Sequence, residues 1–325
     1  MSSTSPAATS VPSSAPRIVC VACWNVDLTM RVPHLPAPGE TLLASGFTTG
    51  PGGKGCNAAV AAARLGGAVS LVARLGDDDN GRSGPPFWQG EGIDSSHCRI
   101  AAGEPNAVAQ ILVADDGENC ISVFRGAGFA LRADDVHAAE SAFVQARVVG
   151  MPLEIQDEAV FAALQLARRH GATTVLNPAP ARRLPDTWWP LIDVLTPNAL
   201  EARQLCGLAP DAPATLPELG AALLARGCGA VVMTDGAHGA WVFERDRAPL
   251  HVPPFTVMTV DTVGAGDAFN GALMVALGEG RPLPQAALFA NAAAALSTTL
   301  HGAAAAMPRR HEVDALAALQ LPSTP

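Results

Sequence analysis

Charge is scarce in this sequence, and several other features are missing with it. Only 16% of its 325 residues are charged, the net balance is −9, and no Lys/Arg block occurs anywhere. An acidic chain with a pI near 5.3 and no basic cluster is not expected to bind nucleic acid. No apolar run approaches the roughly 18 residues that a membrane helix needs, so no membrane association is expected. The opening MSSTSPAATSVPSSAP has neither a basic start nor an apolar segment. Residues 1–16 therefore read as a disordered tail rather than a signal peptide. Seven cysteines, an odd number, are scattered along the chain, and Cys20-Val-Ala-Cys23 has no second pair to complete a zinc site. That CxxC lies inside the apolar run RIVCVACW, so core thiols in a reducing cytoplasm are expected. His34, His97 and His238 show no pairing with a Ser or Cys nucleophile, which leaves a hydrolase triad unsupported. No internal repeat is present.

What the sequence does have is 49% hydrophobic residues, enough for one large α/β domain or two small ones. Short apolar runs at 17–24, 69–76, 146–151, 173–177, 192–198 and 229–236 read as buried strands. Between them, helical stretches fall at 55–67, 135–146, 156–170, 199–206 and 216–227, and long helices at 265–278 and 284–300 close the pattern. Continuous apolar strands separated by helices predict an α/β fold, a mostly parallel central sheet with helices on both faces. Residues 27–50, with LPAPGETL, and 105–124, a hairpin around Asp115-Asp116-Gly117, break the rhythm and suggest a small β-sheet lid over the strand ends. The expected organisation is a domain over 17–318 carrying that lid, with a short C-terminal tail at 319–325.

The stretch TVDTVGAGDAFNGAL (259–273) places an acid, Asp267, behind Gly264-Ala265-Gly266 where a helix begins. Its spacing excludes both phosphate-loop alternatives. A dinucleotide fingerprint needs a third glycine that comes here only at Gly271, and a Walker loop needs Lys where Ala272 stands. A plain N-cap would use one polar side chain. Here a Gly-x-Gly turn gathers bare N–H groups at a positive helix end, which attracts an anion. A carboxylate beside an anion hole suits catalysis: the hole holds a transferring phosphoryl group while the acid takes a proton from the attacking hydroxyl.

Other constellations are individually weaker. GPGGKGCN (50–57) joins a Gly-rich loop with Lys54 to a helix carrying Asn57, which is either a flexible turn or a close approach to a polyhydroxy ligand. Asp27 ends a strand and is either a turn former or a cleft acid. Glu154 is either an exposed loop acid or part of the site. Asn198 and Glu201 share one face of a new helix, consistent with N-capping or with a metal–phosphate role. MTDGAHG (233–239) is either a plain loop or a nucleotide edge, and TWWP (187–190) reads as packing.

Together, GGKGCNAAVAAARLG, DTVGAGDAFNGAL, LPAPGET, NPAPARRLPD and LTPNALEA resemble the ribokinase-like (PfkB) carbohydrate kinases, in order and from about Arg17 to Ala318. The resemblance implies ATP-dependent phosphorylation of a pentose hydroxymethyl group, ribose first, with a nucleoside kinase as the alternative within the class. A catalytically silent sugar-binding regulator is the alternative outside it. It implies Asp267 as catalytic base and the backbone of Gly264, Ala265 and Gly266 as anion hole. Asn25, Asp27, Gly53, Lys54, Asn57 and Glu154 would hold the sugar, and Asn198, Thr234, Gly236, Gly239 and Asn291 would line the ATP site. Glu201 would organise Mg²⁺ through water. A monovalent cation, K⁺, would lie at Asp261, the Val263 carbonyl and the loop after Ser297 that includes Gly302. The resemblance also implies a homodimer through the lid. Four departures stand out. Trp24 replaces a smaller residue and is expected to crowd the sugar pocket. Cys56 and Ala58 are expected to reshape it. Gly128 stands where Asn is usual, and 301–308 is alanine-rich where a hydroxyl or thiol cation ligand is often found.

Overall fold

The computed structural model describes residues 15–320; of the two expected tails, residues 1–14 and 321–325 lie outside the described residues. The chain opens with β1 (Arg17–Cys23), β2 (Asn25–Val32) and β3 (Gly46–Gly52), followed by α1 (Lys54–Arg64) and β4 (Ala68–Gly76). Short helices α2 (Asp79–Arg82) and α3 (Gly84–Gly90) lead through β5 (Arg99–Ala101) to the hairpin β6 (Ala107–Ala114) and β7 (Asn119–Phe124). Helices α4 (Ala133–Ala138) and α5 (Glu140–Phe143) precede β8 (Val148–Pro152), α6 (Asp157–Arg169), β9 (Thr173–Asn177) and β10 (Val194–Leu195). Next come α7 (Ala199–Leu205), α8 (Leu216–Ala225), β11 (Ala230–Thr234), β12 (Ala240–Glu244) and β13 (Leu250–Val252). Helices α9 (Ala265–Gly278), α10 (Leu283–Ser297) and α11 (Arg310–Ala318) complete the chain.

Nine strands form one sheet in the order β13-β12-β11-β10-β9-β8-β1-β4-β5. Every pairing from β11 to β5 is parallel, and only β12 and β13 add antiparallel strands at one edge. The apolar run of β1 explains its central place, because a strand covered on both faces needs apolar side chains at every position. Ile18, Cys20 and Ala22 face a core built with α1, α9 and α10. Val19, Val21 and Cys23 face a second core built with α4, α6 and α8. Cys20 and Cys23 thus point to opposite sides of the sheet as buried free thiols and cannot share a ligand.

A second sheet of four strands, β3-β2-β6-β7, forms the lid. Strand β2 starts two residues after β1 ends, so the lid grows directly from the carboxyl end of a central strand. Ligands in parallel α/β folds bind at those carboxyl ends.

Candidate active site

The lid register starts the site. Antiparallel pairing of β2 with β3 sets Asn25 opposite Gly52 and Asp27 opposite Gly50. The Asn25 side-chain amide donates to Oδ1 of Asp27 at 2.6 Å. Gly53 then turns the chain into α1. The main-chain N–H of Lys54 donates to Oε2 of Glu154 at 2.7 Å, bringing in the acid that follows β8. Lys54 is the only lysine in the chain. One turn later, the Asn57 amide donates to Oδ2 of Asp267 at 2.8 Å. The six residues that the resemblance assigns to sugar, together with Asp267, are therefore brought to one cleft.

This concentration of acids in a buried place shifts their ionisation. Burial lifts Asp267 to about 6, against the lowering influence of the Lys54 ammonium and the Asn57 hydrogen bond. Burial likewise lifts Asp27 to about 6 and Glu154 to about 7. Burial disfavours the Lys54 ammonium, but the carboxylates of Asp267, Glu154 and Glu201 outweigh it and raise its pKa.

Helix α9 begins at the turn that the resemblance assigns to the anion hole. Gly264 is its N-cap with φ 78°. A Cβ there would lie 2.9 Å from Cα of Ala303, so both the left-handed backbone and the close neighbour require glycine. The Ala265 N–H turns toward the Thr262 carbonyl in a long 3.3 Å bond. The N–H groups of Gly264, Gly266 and Asp267 have no partner among the described residues. Asp267's own amide thus joins the donors that the sequence pattern indicates. A Cβ at Gly266 would meet nothing within 4 Å, so packing does not demand glycine at that position.

Of the residues that the resemblance assigns to ATP, Asn198, Thr234, Gly236 and Gly239 lie at the neighbouring strand ends, and Asn291 lies on α10. Asn198 caps α7 by accepting from the Glu201 N–H at 2.8 Å, and Glu201 returns the bond by accepting from the Asn198 N–H at 2.8 Å through Oε2. Asn198 also bridges Thr234, whose N–H donates to the Pro197 carbonyl at 3.0 Å. Gly236 opens a single turn of tight helix after β11, and Gly239 follows it. The Asn291 amide, on α10, donates to the carbonyls of Val252 and Pro253 at 3.2 and 3.0 Å, so it braces the backbone beyond β13. Burial raises the Glu201 pKa, against the lowering influence of the Asn198 N–H bond and of Lys54, which places Glu201 in the field of that lysine.

Around Asp261 two loops are stitched together. Its Oδ1 accepts from the Val263 N–H at 3.0 Å and its Oδ2 from the Gly302 N–H at 2.9 Å. The Ser297 hydroxyl donates back to the Ala294 carbonyl at 2.8 Å, so its side chain is used within α10.

Two expectations about pocket shape are overturned. Trp24 does not crowd the sugar site. It is buried against Trp88 and Phe87, with ring centroids 4.9 and 6.0 Å away, and its indole N–H donates to the Asn80 carbonyl at 3.0 Å. Cys56 also faces inward, with its thiol against the Cys23 carbonyl at 3.1 Å, so of the two small residues only Ala58 lies beside Lys54 at a cavity. Burial pushes the Cys56 thiol well above the ordinary range, consistent with a core position. Gly128 has a packing reason, since a Cβ there would sit 2.5 Å from the Trp24 carbonyl. Trp188 and Trp189 are buried packing residues, as the sequence suggests.

Two polar residues of the site region escape the sequence reading. Thr196 hydrogen-bonds Asn270 at 2.6 Å, and Asn270 in turn bonds the Gly266 carbonyl at 2.8 Å. The available signal was an Asn standing in the otherwise apolar run AFNGALMVAL.

With this geometry in place, the comparison with protein families is decisive: the pfkB family carbohydrate kinase model matches residues 15–310. The chain belongs to the pfkB carbohydrate kinase family. Among its relatives in this family, the ribokinase of Haemophilus influenzae is 36% identical over 288 residues, covering 89% of this chain and 94% of that protein. The ribokinase of Bacillus subtilis is 37% identical over 307 residues, covering 92% and 99%. The pfkB fold is equally evident in space. The chain is similar to an Arabidopsis thaliana ribokinase solved with ribose and ATP, with a TM-score of 0.84 and 29% identity over 93% of this chain and 99% of that one.

Proposed function

We propose that the protein is an ATP-dependent kinase that converts ribose to ribose 5-phosphate, with Asp267 as its general base. One observation carries the reading: a buried carboxylate at the first turn of α9 is held by Asn57 of α1, among N–H groups without partners among the described residues. Asn57 adds a second pointer, since its Oδ1 is buried and has no hydrogen-bond partner. A buried acceptor left unpaired is costly, and a ligand hydroxyl would satisfy it. The similarity to ribokinases, one of them solved with ribose and ATP, supports ribose as the acceptor.

In this reading Asn25, Asp27, Gly53, Lys54, Asn57 and Glu154 fix the sugar so that its hydroxymethyl oxygen faces Asp267. Oδ1 of Asp267, which carries no hydrogen bond among the described residues, takes the hydroxyl proton. The new oxygen–phosphorus bond forms at the γ-phosphorus of ATP as the bond to the β–γ bridging oxygen breaks, and ADP leaves. Charge on the transferring group is received by the N–H groups of Gly264, Gly266 and Asp267, by that of Ala265 on release from its long bond to Thr262, and by the Lys54 ammonium. Asn198, Thr234, Gly236, Gly239 and Asn291 form the nucleotide wall.

No group of three metal-ligating side chains exists among the described residues. Mg²⁺ would be held chiefly by phosphate oxygens and water, and Glu201, whose capping bond uses Oε2 and leaves Oε1, would organise it through water. Mg²⁺ supplies neutralisation of phosphate charge. Asp261, the Val263 carbonyl and the loop after Ser297 that includes Gly302 would hold a monovalent cation, which would fix the turn that precedes the anion hole. The exposed apolar side chains of the lid, Phe47, Ile121, Val123 and Phe124, support a homodimer through that sheet. Free thiols at all seven cysteines are consistent with a cytoplasmic location.

The nucleoside alternative keeps only Ala58 as support, because Trp24 and Cys56 turn into the core. The test is an ADP-release assay over pentoses, hexoses and nucleosides, with ribose expected to give the highest kcat/KM. Absence of sugar-dependent ADP release would overturn the kinase reading in favour of a silent binder. A nucleoside outrunning ribose would reassign the acceptor.

A further inference from the structure

Helix α9 is buried along most of its length, in a run of Ala, Phe, Leu, Met and Val. Asn270 is the exception. A polar amide inside such a helix is unfavourable both for helix propensity and for burial unless its hydrogen bonds are made. They are made, and their direction is informative. The Asn270 Nδ2 donates to the carbonyl of Gly266 at 2.8 Å, one turn back at the start of the helix. Its Oδ1 accepts from the hydroxyl of Thr196 at 2.6 Å. The Thr196 hydroxyl lies 3.3 Å from the Leu176 carbonyl, so its single proton is committed to the shorter contact with Asn270. Thr196 is buried and follows β10, two residues before Asn198 caps α7.

We propose that the Thr196–Asn270 pair is a positioning strut that sets the anion-hole turn of α9 relative to the nucleotide-side element β10–α7. The inference rests on the kinase reading above and deepens it. Both ends of the strut matter to the same transferring group. One end is a carbonyl of the turn whose N–H groups face the phosphate. The other lies on the segment that leads to Asn198 and Glu201. A peptide unit is rigid, so fixing the Gly266 carbonyl also fixes the plane of the following N–H, that of Asp267. An error of about 1 Å in such an arrangement can cost about 10²-fold in rate, so a device that removes this freedom is worth a buried polar pair. The pair acts through α9, and neither side chain touches substrate.

The strut predicts a signature different from that of a merely structural contact. Thr196→Val keeps the shape and removes the hydroxyl. It should lower kcat on the order of tenfold while KM for ribose and for ATP changes by less than about threefold. Thr196→Ser, which restores the hydroxyl, should return kcat to within about twofold of the parent. Asn270→Leu removes both bonds, and the cavity of about 20 Å³ beside Asn270 gives the branched side chain room to settle. The double variant Thr196→Val/Asn270→Leu should be no slower than Asn270→Leu alone, since residues acting as one unit are non-additive. Native-state amide exchange, measured without ligands, should quicken at the hydrogen-bonded amides of Ala268 to Asn270 in Thr196→Val and in Asn270→Leu, and not in Thr196→Ser. The exchange arm reports on the strut even when no sugar is turned over, so failure of the kinase reading and failure of the strut are separable. Unchanged kcat in an active Thr196→Val enzyme, additive losses in the double variant, or unchanged exchange in that turn would each overturn the proposal.

Discussion

The side-chain amide of Asn57 donates to Oδ2 of Asp267 at 2.8 Å, across 210 residues of sequence. One partner lies in the first turn of α1, which follows the loop proposed to hold the sugar, and the other in the turn proposed to hold the phosphoryl group. The bond leaves Oδ1 of Asp267 as the oxygen available to an incoming hydroxyl. Asp267→Asn preserves this geometry and removes the ability to accept a proton. It should lower kcat by at least about 10²-fold while calorimetric ATP affinity stays within a few-fold. Near-normal kcat would remove Asp267 from the role of base.

The pH dependence follows from the same burial. Asp267 is lifted to about 6, so kcat/KM should fall as pH drops through that value and the base becomes protonated. Asp27 and Glu154 titrate nearby, so the acid limb reports apparent values for the set. Stability runs the other way. A carboxyl with a raised folded pKa contributes stability that is fully present below its unfolded value, and that contribution is lost as pH rises through about 6. Asp267→Asn should therefore raise the Tm of the ligand-free protein more at about pH 7.5 than at about pH 4.5. Equal gains at both pH values would show that the buried charge carries no cost.

Asp27 shares its lid strand with Asn25, which donates to it at 2.6 Å. A carboxylate accepting two sugar hydroxyls makes charge-assisted bonds of roughly 1.5–3 kcal/mol each. Asp27→Ala should raise KM for ribose by about tenfold or more and leave KM for ATP nearly unchanged. Equal losses for both substrates would point to a damaged fold instead.

Gly266 offers a test in which stability and activity part. Its Cβ position is open, and alanine is the better helix former, so Gly266→Ala should preserve or raise stability, by up to about 1 kcal/mol. The added methyl stands where the phosphoryl group is proposed to approach, and kcat should fall by at least about tenfold. A stable variant with unaltered kcat would mean that nothing approaches Gly266 closely.

Asp261 ties the 261–263 turn to Gly302 through both carboxylate oxygens. A cation held beside it by backbone carbonyls would steady the turn leading into Gly264, so its effect should appear mainly in kcat. In a bulky organic-cation buffer at matched ionic strength, KCl should activate saturably and more than NaCl, and Asp261→Ala should abolish the response. A flat K⁺ titration of an active enzyme would show that the alanine-rich loop no longer supports such a site.

Much of this was legible in the chain. β1, β4, β8, β9 and β11 announce themselves as continuous apolar runs because a strand covered on both faces must be apolar at every position. The start of α9 at Ala265 is equally plain, since glycines and an acid before an apolar helix have few other uses. By contrast, β12 and β13 go unseen. They are short antiparallel edge strands whose pairing with β11 depends on partners distant in sequence, and local periodicity carries no record of those partners.

The sequence by itself thus determined the layers, the lid and, apart from Thr196 and Asn270, the polar groups gathered beside Asp267, because burial and turn chemistry are local demands written residue by residue. Only the tertiary structure decided where those groups point. Trp24 and Cys56 stand beside pocket residues in the sequence yet turn into the core. Thr196 and Asn270, 74 residues apart, meet at 2.6 Å behind the anion hole. A side chain's direction is set by the packing of elements brought together from distant parts of the chain, and a hydrogen bond forms only where that packing places donor and acceptor within about 3 Å.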